Sequence, residues 1–380
     1  MVPTLTLRKD LGRTLRQGHP WVFREALLDP PALPPGEIVA VADKQGRPLV
    51  FGFWDGKSTI AVRVLDLSSV TDRRELLRRR LTAALGLRRA RLDLRETNTF
   101  RWVHGEADRL PGIHVDVYAD VATVRFDGEG SRAFYGDLQS LLFECGEDLH
   151  LRKLIDREAR GQDSEEVGVE ENGIRFLVDV GRGQKGGLFL DQRENRKTIG
   201  ERSHGKSVLN LFGYTGGFSL YAARGGARRT DTVDIARPAI VAARRNFELN
   251  RFSSEQAGFH ATDVFVFLDE AIAAKKTWDI VISDPPSFAP SKNSLASARR
   301  SYLQLHKKAA QVVAADGTFC AASCSSHIDR REFLSLVKTG VRQAGRRFDV
   351  QSYTGAGADH PTLPIFPEGD YLKFALGKVQ

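Results

Sequence analysis

From residue 205 onward, short apolar runs alternate with helical patterns, and this alternation narrows the possible folds more than any other feature. SVLNLF precedes a helical stretch through SLYAARGG, and TDTVDI precedes AIVAARRNFELN. WDIVISD precedes SYLQLHKKAAQVVAA, and GTFCAASC precedes EFLSLVKTGVRQ. Strands separated by helices predict crossover connections, hence a mostly parallel, doubly wound α/β sheet. Ligands of such sheets sit beyond the carboxyl ends of the strands. The residues just past each run are therefore the candidates for function.

The rest of the chain has a different texture. Residues 1–68 read as a small β-rich unit, with the runs EIVAVAD, PLVFGFW and IAVRVLDL broken by turns. Residues 69–170 open on a basic helical segment and continue into two strands joined at Tyr118–Asp120. The polar stretch at 160–173 reads as a boundary or exposed hairpin, with the α/β region at 171–380. A chain of 380 residues suits this division into two or three domains. No run of about 18 apolar residues predicts a membrane span. MVPTLTLRKD lacks the apolar centre of a signal peptide, so the expectation is a cytoplasmic protein.

Charge suggests a partner. Lys and Arg total 56 against 48 acidic residues, a net charge of +8 that favours a polyanion. Residues 71–105 hold ten arginines, and RRELLRRRLTAALGLRRARL spaces its leucines as a helix. This segment reads equally as a solvated face with an apolar back or as a nucleic-acid contact. Trp21 and Phe23 read as core of the small β unit rather than as a base-stacking pair. Glu106, Asp108 and Asp116, around a Leu-Pro-Gly turn, read as turn-capping residues.

The strand tips carry the chemistry. NLFGYTGGF puts Gly213, Gly216 and Gly217 in a strand-to-helix turn, where bare backbone approaches a ligand closely. Its spacing is not that of the dinucleotide fingerprint. Asp234 ends the second strand, eighteen residues after Gly216, where a carboxylate either accepts hydrogen bonds from ribose hydroxyls or caps the next helix. FHATDVFVFL is read as the next strand region, with Asp263 at a tip, either meeting an adenine amino group or capping a helix. In VISDPPSF, Pro285 and Pro286 stop the strand and stiffen the loop that presents Asp284. Cys324 leaves the fifth strand as a candidate nucleophile, with His327 three residues on. Cys320 and Cys145 read as packing residues. No spacing of the three cysteines suggests a disulfide or a metal site.

In order along the chain, GHPWVF, GEADRLPGIHVDVY, GLFLDQRENR, NLFGYTGGF, VDIA, DPPSF, SCSSH and ADHPTLPIFPEGDYLKFA resemble the large-subunit ribosomal RNA methyltransferase I family. The resemblance spans nearly the whole chain. It implies an N-terminal PUA-like RNA-binding β-barrel, a small α+β middle domain and a Rossmann-like, S-adenosylmethionine-dependent methyltransferase domain. It implies a cofactor site made by Phe212, Gly213, Tyr214, Thr215, Gly216, Gly217, Asp234, Asp263, Gln192 and Asp284. Phe189, Asp191, Gln192 and Arg193 would close over the cofactor or the target base. The base would meet Phe189, Arg193, Pro285, Pro286, Phe288 and His327. Where relatives often read K-T-G-x-x-x-D-Q-R, this chain has Gly186 after Lys185.

The family reaction is methylation of cytosine C5 in 23S ribosomal RNA, taken as naked RNA or as an assembly intermediate. The implied catalytic residues are Cys324, adding to C6, and Asp284, holding the N3/N4 edge. His327 or water would take the C5 proton. The small β unit and the Arg-rich helix would contact phosphates, and relatives suggest a homodimer. DPPSF also resembles loops of nitrogen methyltransferases, so a guanine-N7 ribosomal RNA enzyme with Cys324 as a bystander is the runner-up. A non-catalytic rRNA-binding assembly factor and a nicotinamide-dependent oxidoreductase are the alternatives from other classes.

Overall fold

The computed structural model describes residues 2–159, 163–181, 187–289 and 292–380. Its contacts divide the chain into two compact units. One comprises residues 1–169, 179–182 and 358–369; the other comprises 170–178, 183–357 and 370–380.

The first unit begins with β1 (Thr4–Thr6), α1 (Gly12–Arg16), β2 (Trp21–Phe23), β3 (Ile38–Ala42), β4 (Pro48–Trp54) and β5 (Ile60–Asp66). They form a sheet in the order β1-β3-β4-β5-β2. A bridge between Leu7 and Leu27 joins its two edges, closing the sheet into a barrel. The long helix α2 (Arg73–Arg91) follows, with Asp72 accepting from the Glu75 amide at its start. Next come β6 (Thr99–His104), β7 (Ile113–Tyr118), β8 (Val121–Phe126), α3 (Glu129–Phe134), α4 (Leu138–Cys145) and β9 (Lys153–Asp156). The strands form a second sheet in the order β6-β7-β8-β9. Leu76, Leu77, Leu81 and Leu85 of α2 pack in its core.

Several expectations change here. Arg80 and Arg88 of α2 are buried. Arg80 donates to the Arg109 and Leu65 carbonyls. Arg88 forms a bidentate pair with Asp108 and also reaches the Asp359 carbonyl. These two arginines therefore brace the fold and are withdrawn from any phosphate. Glu106, Asp108 and Asp116 are ion-pair partners, of Arg63, Arg88 and Arg101 respectively. Asp108 alone also ties down a local backbone amide, that of His104. The Trp21 indole donates to Glu106, and its ring packs edge-on to Phe366 at 4.5 Å.

A two-stranded hairpin, β10 (Glu166–Glu171) and β11 (Ile174–Asp179), turns at Asn172–Gly173 with φ values of 49° and 73°. The second unit then runs α5 (Arg193–Glu201), β12 (Ser207–Leu211), α6 (Gly217–Arg224), β13 (Arg229–Asp234), α7 (Arg237–Leu249), β14 (Ala257–Ala261) and α8 (Val264–Ala273). It continues with β15 (Trp278–Ser283), α9 (Leu295–Gln311), β16 (Val313–Ser323), α10 (Arg330–Gln343), β17 (Phe348–Thr354) and β18 (Lys373–Val379). The seven strands order as β14-β13-β12-β15-β16-β18-β17. The first five are parallel neighbours, and β18 is antiparallel to both β16 and β17.

The expected doubly wound sheet is thus present, with an antiparallel closing pair. The strand read in FHATDVFVFL is shorter than expected. It stops at Ala261 because Asp263 accepts from the Phe265 and Val266 amides and starts α8.

Candidate active site

The strand register aligns the candidate residues. Leu211 of β12 lies opposite both Val233 of β13 and Ser283 of β15. Ser283 in turn lies opposite Ala321 of β16. The turn after β12, Asp234, Asp284 and Cys324 consequently emerge along one edge of the parallel sheet.

The turn after β12 depends on glycine. Phe212, Tyr214 and Gly216 adopt left-handed backbone, with φ of 57°, 47° and 84°. A Cβ on Gly213 would sit 2.5 Å from Thr232 Cγ2 and 2.9 Å from Asn210 Nδ2, so no side chain fits there. Asp234 locks the turn to the next strand. One carboxylate oxygen accepts from the Tyr214 amide at 3.0 Å, the other from the Ala236 amide at 2.9 Å. Beside it Ile235 is 72% exposed, an aliphatic surface the sequence reading missed. Asp263, two residues beyond the neighbouring strand, uses Oδ1 for both of its capping bonds.

This surface fits S-adenosylmethionine. Bare backbone and a helix start can take the methionine end, a half-buried carboxylate the ribose, and an aliphatic shelf with an acid nearby the adenine.

The segment after 187 supports the turn from the other side. Phe189 meets Tyr214 edge-on at 5.5 Å, and Thr215 Oγ1 donates to the Gly187 carbonyl. Gln192 is buried. Its amide nitrogen donates to Asp284 Oδ2 at 2.9 Å, and its oxygen accepts from Asn195 Nδ2 at 2.6 Å. Asn195 is held in turn by the Thr354 hydroxyl and the Gly355 carbonyl. Gln192 thus reaches Asp284, an acidic member of the cofactor set that the resemblance implies. Asp191 is also buried and accepts from the Tyr371 hydroxyl at 2.7 Å. Arg193 faces inward as well. It is 1% exposed and lies 3.4 Å from Glu171, which also takes a bidentate pair from Arg196. Arg193 accordingly contributes to the scaffold, where the family resemblance implied a base contact. Lys185 and Gly186 lie outside the described residues.

The Asp284 and Cys324 loops are stitched together. Pro285 is buried, Pro286 is exposed, and Phe288 packs on Tyr302 at 4.9 Å. The Tyr302 hydroxyl shares a hydrogen bond with Ser323, next to Cys324. Burial pushes the Tyr302 phenol up, and the charges of Cys324 and Asp284 push it the same way. The Ser325 hydroxyl donates to the Ala289 carbonyl. Cys324 is half-buried and His327 is exposed. Lys373, at the start of β18, is 2% exposed and donates to the Ser325 and Ile328 carbonyls. Tyr302, Asn195 and Lys373 went unread in the sequence. The last was visible only as a lysine heading the apolar run LKFALG.

Residues 157–349 match a family model described as S-adenosylmethionine-dependent methyltransferase, and residues 5–67 match a PUA-like domain. The chain is 33% identical over 389 residues to the ribosomal RNA large subunit methyltransferase I of Alteromonas mediterranea, covering 98% of both chains. It is 34% identical to the protein of that name from Vibrio cholerae, over 98% of both. The chain belongs to this family.

The family's methyltransferase fold is also seen in a solved S-adenosylmethionine-dependent methyltransferase from Streptococcus mutans. That structure covers 100% of both chains with a TM-score of 0.83 at 21% identity. A methyltransferase solved with S-adenosylhomocysteine matches equally in extent, with a TM-score of 0.84 at 21% identity. Membership makes this chain an S-adenosylmethionine-dependent methyltransferase with a PUA-like N-terminal domain. None of its described helices is long and apolar enough to cross a membrane.

Proposed function

We propose that this protein methylates C5 of a cytosine in 23S ribosomal RNA through a covalent bond between Cys324 and C6 of the base. The ribosomal substrate is drawn from the names of its relatives. The C5 reading rests on one observation: Cys324 and Asp284 leave neighbouring parallel strands at the edge that bears the glycine turn.

Cytosine C5 is too weak a nucleophile to take a methyl group unaided. S-adenosylmethionine, when bound, supplies that methyl group in electrophilic form. The Cys324 thiolate adds to C6, forming the S–C6 bond and moving the C5–C6 π pair onto C5. Asp284, oriented by Gln192, holds the N3/N4 edge and favours that build-up of charge. After methylation a base takes the C5 proton; His327, on the Cys324 turn, and water are the candidates. The released pair restores the C5–C6 double bond and expels the thiolate. The cofactor surface comprises the 212–217 turn, Asp234, Ile235 and Asp263. The target base leaves its stack to enter, so the substrate is single-stranded RNA or an assembly intermediate.

The three-part division at residues 68 and 170, a cytoplasmic location and a homodimer belong to the same proposal. RNA containing 5-fluorocytidine tests the covalent step. Fluorine cannot leave C5 as a proton does, so the thiolate adduct accumulates as a denaturation-resistant complex. Wild type is expected to form this complex and Cys324→Ala to form none. An adduct surviving in Cys324→Ala would overturn the assignment of Cys324.

A further inference from the structure

Lys373 heads β18 directly opposite Ser323, the last residue of β16, so the next residue of that strand's exit is Cys324. The lysine is buried, and its ammonium group donates to the carbonyls of Ser325 and Ile328. Both acceptors are neutral, and among the described residues no carboxylate oxygen lies within ion-pairing distance of Nζ. A buried ammonium without a partner anion is costly, and an apolar residue would serve the strand core better. Lys373 is therefore placed where a positive charge is retained for a purpose other than packing.

We infer that Lys373 is a positioning residue for the Cys324 thiolate, clamping the turn that carries the sulfur and keeping a positive charge beside it. This rests on the reading of Cys324 as the nucleophile. The charged groups around the lysine are Cys324, Asp370 and Asp329, with Arg330 opposing them. The Tyr302 phenol is within electrostatic reach of both Cys324 and Asp284, and its hydroxyl bonds Ser323 next to the cysteine. Burial pulls Lys373 down to about 8, so it still carries its proton at neutral pH. At neutral pH Lys373 keeps that proton, and the thiol proton of Cys324 is lost to solvent.

The test is the pH dependence of Cys324 alkylation by iodoacetamide, read on its peptide by mass spectrometry in the full chain. Wild type should show a midpoint below the ordinary thiol value of about 8.5. Lys373→Met should raise it by about one pH unit, leaving about tenfold less thiolate at neutral pH. Its methyl transfer should fall in parallel and recover at alkaline pH. Lys373→Arg, which keeps the charge, should stay near the wild-type midpoint. An unchanged midpoint in Lys373→Met overturns the inference. If that variant fails to fold, a wild-type midpoint at or above about 8.5 overturns it alone. A shifted midpoint together with full turnover in Cys324→Ala would sink the cysteine mechanism while leaving the lysine–thiolate pairing intact.

Discussion

Gln192 helps to aim Asp284, because its amide bridges that carboxylate to Asn195. Replacing it by leucine removes a hydrogen bond to a charged group, worth about 1.5–3 kcal/mol. Gln192→Leu should therefore lose about ten- to a hundredfold in kcat, with S-adenosylhomocysteine affinity little changed in calorimetry. The glycine turn fails in the opposite way. Gly213→Ala forces a methyl group into Thr232 and Asn210. It should cost about 1–3 kcal/mol of stability and weaken S-adenosylhomocysteine binding at least tenfold in the same calorimeter. Wild-type affinity in Gly213→Ala would show that the turn does not hold the cofactor.

At the scale of elements, the hairpin of β10 and β11 is anchored to α5 by buried charge. Glu171 is fully buried and accepts from Arg196 through both oxygens, with Arg193 alongside. Removing the acid takes the carboxylate away from two buried guanidinium groups. Glu171→Gln should lower the unfolding free energy by about 3–5 kcal/mol in urea titrations. A loss below about 1 kcal/mol would mean the pair is dispensable.

What could be read from the sequence follows from the same physics. The strand and helix alternation was legible because hydrophobic periodicity is local, and the strand tips followed from the parallel topology. Asp234 and Asp284 could be placed at strand ends because each ends a run. Lys373 was hidden because its burial comes from antiparallel pairing with β16, fifty residues earlier at Ser323. Arg80, Arg88 and Arg193 were misjudged because charge suggests exposure, and only tertiary acceptors explain a buried guanidinium. The short third strand was missed because VFVFL reads equally well as strand or helix until the Asp263 cap is seen.

At the scale of the whole molecule, both units carry buried neutral histidines. Burial drives His104 well below its ordinary value and lowers His114 in the first unit. In the second unit it takes His306 down to about 3. Well above about pH 6.5 these rings are neutral whether the chain is folded or unfolded, and they add no pH dependence. As pH falls through that value the unfolded chain takes up protons that the folded chain refuses. Stability should then fall by up to about 1.4 kcal/mol per pH unit for each histidine. Urea midpoints should accordingly drop between pH 7 and pH 5, before carboxylates titrate. His306 is enclosed by Tyr302, Phe319 and Phe333, and its ring nitrogens have no hydrogen-bond partner among the described residues. His306→Phe should therefore reduce that acid loss; an unchanged drop would exclude His306 as a contributor.

In the proposed reaction two strand tips of one sheet, Asp284 and Cys324, make a cytosine-C5 methyltransferase. Nucleoside mass spectrometry tests it most directly, on ribosomal RNA and ribosomal particles incubated with methyl-labelled S-adenosylmethionine and either wild type or Cys324→Ala. Labelled 5-methylcytidine with wild type, absent with the variant, is the predicted result. Labelled 7-methylguanosine persisting in Cys324→Ala, or RNA binding without any label, would contradict it.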